Sequence, residues 1–143
     1  MKLDTANVLA ITATQLMGAI APQLPAGYAQ ASASLTGFLL TFCAQDYENA
    51  ADIRAAENAD MRALFAELAP RLRDGALRAR LEAASVRKDS SLRISALDAA
   101  NAELRSLLIA LHEAVEPDAA ANARVWTVLC AMANRRVVKL PGQ

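Results

Sequence analysis

The chain is short of the residues that punctuate or staple a small fold: of 143 residues, five are glycine, five proline and two cysteine, and there is one histidine. With alanine and leucine abundant and aromatic and β-branched side chains scarce, helix is favoured over strand almost everywhere. No stretch reads as a β-hairpin. Cys43 and Cys130 lie far apart with no Cys or His at metal-ligand spacing beside either. This excludes a disulfide scaffold and predicts reduced thiols within a helical core.

The lone histidine, His112, removes two further classes. Di-iron bundles need Glu-x-x-His motifs from two helices, and the residue three before His112 is Ile109. A His-Glu-x-x-His zinc site fails on ligand count. No glycine-rich phosphate loop occurs, and Ser90-Ser91 has a sufficient role as a helix cap without a nucleophilic one. No metal and no cofactor are expected.

Charge of one sign is lacking too, since fifteen basic residues balance fifteen acidic ones. A neutral field gives no reason to expect nucleic acid or an anionic membrane as the main partner. Arg135, Arg136 and Lys139 form a basic cluster without interleaved aromatics and read as cations at a helix C-terminus. The longest apolar run, Gly37 to Ala44, is far short of the ~20 residues of a membrane-spanning helix. Asn7, Thr12, Thr14 and Gln15 make the start too polar for the apolar heart of a signal peptide, so a cytoplasmic protein is expected despite an Ala-x-Ala at Ala19 to Ala21. Arginine far outnumbers lysine, a coding bias that suggests a GC-rich bacterial genome.

What remains is helical periodicity over a length suited to one domain, residues 1–143. A first helix reads from about Asp4 to Ala21 and ends at Pro22 and Pro25-Ala26-Gly27. From Tyr28 to Ala69 there is no proline. The stripe Leu35, Leu39, Phe42, Asp46, Ala50, Ile53, Glu57, Met61, Leu64, Leu68, Leu72 advances in an eleven-residue repeat. Eleven residues in three turns is about 3.67 per turn, close to an unstrained helix, so one face stays aligned throughout. The unbroken register favours a single helix across residues 28–72 over a break near Gln45-Asp46. Residues 71–88 read as a connector with one short helix, Asp89-Ser90-Ser91 as caps for a helix over 92–116, and Asp118 as the cap of a last helix to about Val138. The expected fold class is all-α, a helical bundle of four to five helices built around one long helix, continuous or kinked. Leu64, Leu68, Leu104, Leu107 and Leu111 are its expected core.

The candidate site residues are those that violate this pattern. Asp46 and Glu57 hold the same position of the repeat and project carboxylates from an apolar stripe, with Arg54 and Asn58 on its flank. Buried carboxylates are costly unless paired, which suggests an Arg54–Glu57 pair. Asp98, Asn101, Arg105 and His112 form a second polar line beside the apolar face of residues 92–116. If these helices run antiparallel the two lines meet, and His112 can titrate near neutrality beside a carboxylate. Solvated or salt-bridged surface groups, a register-fixing network and a ligand pocket are the three readings, with the first as default.

Charge is uneven along the chain: residues 46–60 hold Asp46, Glu48, Asp52, Glu57 and Asp60 against Arg54, while 71–93 hold seven basic residues against three acidic ones. Two solvated faces or charge-complementary docking with a protein partner would both produce this. A compact domain of this size is roughly 40 Å across, shorter than a helix spanning 28–72 at 1.5 Å per residue. Leu35, Leu39 and Phe42 therefore call for cover, and a homodimer is expected. The functional expectation is a non-catalytic, self-associating interaction or assembly module. The alternative is a small-molecule binder or minor enzyme using Arg54, Glu57 and His112.

Overall fold

The computed structural model describes residues 4–138. It is an all-α structure with five α-helices and no strand among the described residues. The helices are α1 (Thr5–Gln15), α2 (Tyr28–Leu68), α3 (Gly75–Ser85), α4 (Ile94–Val115) and α5 (Ala119–Arg135). The chain divides into two compact units, one containing residues 4–50 and the other Ala51–Val137. The long helix is continuous at Gln45-Asp46, as its unbroken register predicts, and contributes to both units.

In the first unit, Asp4 caps α1 by accepting the Asn7 N–H at 3.1 Å. The helix then widens into a π turn at Leu16–Ile20 and tightens into a 3-10 turn at Ala21–Gln23, started by Pro22. Gly27 adopts φ 148°, a backbone conformation that L side chains rarely adopt, and leads directly into α2. The contact between α1 and α2 is close: a Cβ placed on Gly37 would lie 2.5 Å from Met17 Cγ and 3.1 Å from the Ala13 carbonyl oxygen. Ala13, Ala21, Ala44 and Ala50 are the buried hydrophobic side chains of this unit. The seam is therefore made of small residues that let backbones approach. The larger side chains Val8, Ile11, Ile20, Leu35 and Leu39 are 45–60% exposed, and Phe42 is half-buried.

The second unit has a conventional core. Met61, Leu64, Phe65 and Leu68 of α2 pack with Leu77 and Leu81 of α3, Leu104, Leu108 and Leu111 of α4, and Val125, Val128 and Met132 of α5. Leu107, expected in the core, is partly buried against it. Short polar caps set the connections. Asp74 accepts the N–H groups of Ala76 and Leu77 to start α3, and Asp118 accepts those of Ala120 and Ala121 to start α5. Helix α4 starts later than the expected Asp89-Ser90-Ser91 caps: its N-cap is Arg93, whose N–H donates to Ser91 Oγ at 3.1 Å. Asp89 is committed elsewhere, as described below.

The cysteines are a correction. Cys43 and Cys130 are free thiols, but both are exposed rather than in a core. Helical spacing puts each on the outward side of its helix, between the buried positions Gly37 and Ala44 in α2 and Val128 and Met132 in α5.

Candidate functional site

The second unit encloses a polar network around Glu57, which is fully buried. Its position in the apolar stripe of α2 aims the carboxylate inward, where Met61 and Leu64 continue the same spacing. Arg136, just beyond α5, donates to it through Nε at 2.6 Å and Nη2 at 2.8 Å, one bond to each carboxylate oxygen. Arg105 Nη2 donates at 3.2 Å and Asn101 Nδ2 at 3.1 Å, both from α4 to Oε2. Burial is the strongest influence on this carboxyl and pushes its pKa upward. The hydrogen bond and charge of Arg136, with the bonds from Arg105 and Asn101, outweigh it and hold the pKa below the ordinary 4.5.

The network continues through side-chain amides. Asn101 Nδ2 also donates to Asn58 Oδ1 at 2.9 Å, and its own Oδ1 accepts Arg105 Nε at 2.6 Å. Asn58, fully buried, donates to Asp89 Oδ1 and to the Leu97 carbonyl. Arg62 Nη2 reaches the same Asp89 oxygen at 2.6 Å. This hydrogen bond from Arg62, with its charge and the bond from Asn58, holds the Asp89 carboxyl below its ordinary 3.8 against the opposing effect of burial. One chain of contacts thus joins α2, the segment before α4, α4 and the end of α5. At the outer edge Arg54 pairs with Asp98 at 2.5 Å, Arg135 with Asp60 at 2.6 Å, and Arg124 forks onto Glu67.

Of the residues singled out from sequence, Glu57, Asn58, Asn101 and Arg105 come together in this network. Arg54 and Asp98 meet each other, so the anticipated Arg54–Glu57 pair gives way to Arg54–Asp98 and Glu57–Arg136. The geometry behind this is simple: Glu57 points to the core, where Arg105 and Arg136 converge from other helices. His112 sits apart, with Nε2 3.1 Å from Asn122 Oδ1 and its ring edge-on to Trp126 at 5.7 Å. Asp46 is exposed and belongs to the first unit. Sequence reasoning missed Arg136, Asp89 and Arg62. The one available signal was Arg136 following an apolar helix, and a cation there has an adequate explanation in the helix dipole.

Chemically the Glu57 centre is closed. Both carboxylate oxygens are engaged, the group is held as an anion, and it is sealed from solvent, whereas a general acid or base must present its proton to a substrate. Among the described residues no three His, Cys, Asp or Glu side chains are grouped to hold a metal ion. A cavity of about 240 Å³ lies beside the network, bordered by Arg62, Arg87, Lys88, Ser90 and Glu103. Much of its charge is internally matched, by Arg62–Asp89 and Arg87–Glu103. No helix among the described residues is long and apolar enough to cross a membrane. No protein-family model, curated protein or solved structure matches the chain.

Proposed function

We propose that this chain is a non-catalytic interaction module of the bacterial cytoplasm, in which the helical hairpin of residues 5–50 carries the contact surface and Ala51–Val137 is a charge-locked base. One observation carries the reading: the only hydrophobic side chains the hairpin fully buries are Ala13, Ala21, Ala44 and Ala50, while Val8, Ile11, Ile20, Leu35 and Leu39 are left outward. Folded monomers normally bury such large apolar side chains, and rows of them left exposed mark interaction sites. The base supports the reading from the other side, because its buried Glu57 and part-buried Asp89 carboxylates are engaged by Arg136, Arg105 and Arg62 and held as anions. Exposed free thiols at Cys43 and Cys130 accord with a reducing compartment.

The test is site-specific photocrosslinking in living cells, with a photoreactive amino acid at position 39 and, as control, at the exposed position 83 of α3. A discrete adduct from position 39 alone is expected. Equal labelling at both positions, or none at either, would remove the hairpin as a contact surface.

A second reading, a small-anion binder, draws on one detail: Arg62 Nε is buried without a hydrogen-bond partner next to the cavity bordered by Arg87 and Lys88. Calorimetric titration with inorganic phosphate decides it, and absence of heat at millimolar ligand removes it.

A further inference from the structure

Every charged side chain of the protein lies outside residues 5–45. Soluble domains carry about one charged residue in four, so a stretch of this length would ordinarily hold ~10. Four threonine hydroxyls of the hairpin are also turned inward on their own helices. Thr12, Thr14, Thr36 and Thr41 donate to the carbonyls of Val8, Ala10, Ser32 and Gly37, at 2.8 to 3.2 Å. Side chains that close on their own backbone make no demand on a partner's polar groups.

Within α2 the small residues Ala33, Gly37 and Ala44 face α1 and are partly or wholly buried, whereas Leu35, Leu39 and Phe42 recur on the opposite side. Phe38 stacks edge-on against Phe42, with ring centroids 4.7 Å apart, and widens that apolar side. We propose that this side of α2 is the seam of a homodimer in which two copies of the helix pair antiparallel about a two-fold axis near Phe38 and Leu39. The inference rests on the interaction-module reading and names the occupant of its surface.

Charge selects both the partner and the direction. A two-fold interface sets a surface against itself, so any charge near the axis meets its own sign. An uncharged face meets no such penalty, whereas a face built for a different protein would draw on charge for steering and discrimination. The first charge on this side of the helix is Asp46, four residues beyond Phe42. Parallel pairing would set Asp46 beside its own copy at the seam. Antiparallel pairing about Phe38 and Leu39 sets Asp46 against Ala31 of the second copy and Leu35 against Phe42 of the second copy, so apolar groups meet and carboxylates are kept apart.

The experiment uses the full chain. Sedimentation velocity across the micromolar range is expected to show a monomer–dimer equilibrium. Leu39→Glu is expected to raise its dissociation constant on the order of 100-fold or more, because a carboxylate would be desolvated without a partner. Leu39 is half exposed, so helicity and the melting temperature of the variant's monomer stay as in the parent. Orientation is read with Leu39→Cys and Ala31→Cys, each in a chain whose Cys43 and Cys130 are serine, treated with a short bismaleimide. The antiparallel seam links position 39 efficiently and leaves position 31 unlinked, since the two copies of residue 31 stand about 20 Å apart at 1.5 Å per residue.

A monomer at every concentration overturns the proposal, as does a dimer indifferent to Leu39→Glu or equal linkage at positions 31 and 39. A monomer that floats with phosphatidylcholine vesicles also overturns it, assigning the face to lipid. If the purified chain is monomeric while position 39 still crosslinks in cells, the second copy is excluded and the interaction module stands. Loss of both removes both.

Discussion

The two units solve the same packing problem in opposite ways. Residues 51–137 bury Phe65, Met61, Leu111 and their neighbours and hold even a glutamate inside by surrounding it with donors. Residues 4–50 fully bury only Ala13, Ala21, Ala44, Ala50 and Gly37 and leave Val8, Ile11, Ile20, Leu35 and Leu39 exposed. The first arrangement is complete in one chain. The second, on the proposed reading, is half of an arrangement, since small-residue seams give close contact but remove little apolar area from water.

Substitutions that strike each unit in turn should break this contrast if it is false. Phe65→Ala, in the middle of the core, should cost about 4 kcal/mol in chemical denaturation. A cost below about 1 kcal/mol would show a core loose enough to collapse around the lost ring. Glu57→Ala should follow at about 3 kcal/mol, since it leaves Arg105, Arg136 and Asn101 without their shared acceptor. It stands at the lower end for a buried ion pair because both arginine side chains are close to half exposed and can turn toward water.

The same network predicts the direction of the pH response. The carboxyls of Glu57 and Asp89 have folded-state values below their ordinary 4.5 and 3.8. Their contribution is therefore fully present above those ordinary values and is lost as pH falls through the lowered ones. Melting temperature should decline below about pH 4.5 in the parent and decline less steeply in Glu57→Gln. Identical slopes would remove Glu57 from the acid response.

In the hairpin the effects should be smaller. Gly37→Ala gains up to about 1 kcal/mol of helix propensity. It also forces a Cβ onto Met17 and the Ala13 carbonyl, and overpacking of that kind costs about 1–3 kcal/mol. A net loss of about 1 kcal/mol is expected, visible as faster proteolysis in the turn at residues 24–27. Unchanged or slower cleavage would mean that Met17 yields freely. Leu39→Ala should alter the folding stability of the monomer by less than about 0.5 kcal/mol, as for other exposed positions.

Periodicity made much of the fold legible. The unbroken eleven-residue spacing through Gln45-Asp46 announced a continuous α2, and Pro117-Asp118 marked the passage from α4 to α5. It also drew out Glu57 within an apolar stripe and Asn58, Asn101 and Arg105 beside one. Spacing says which side chains share a face and nothing of what arrives from another helix. Arg136 reaches Glu57 across 79 positions of sequence, and Asp89 resembled a helix cap while serving Asn58 and Arg62. The same limit explains the thiols: the absence of ligand partners in sequence pointed to thiols within a helical core, but α1 covers the side of α2 opposite Cys43.

The most direct measurement of the contrast is hydrogen–deuterium exchange followed as a function of protein concentration. Amides of residues 28–45 should gain protection as concentration rises, while those of residues 97–111, inside a unit already complete, should exchange at a constant rate. Exchange in residues 28–45 that is independent of concentration would contradict the account.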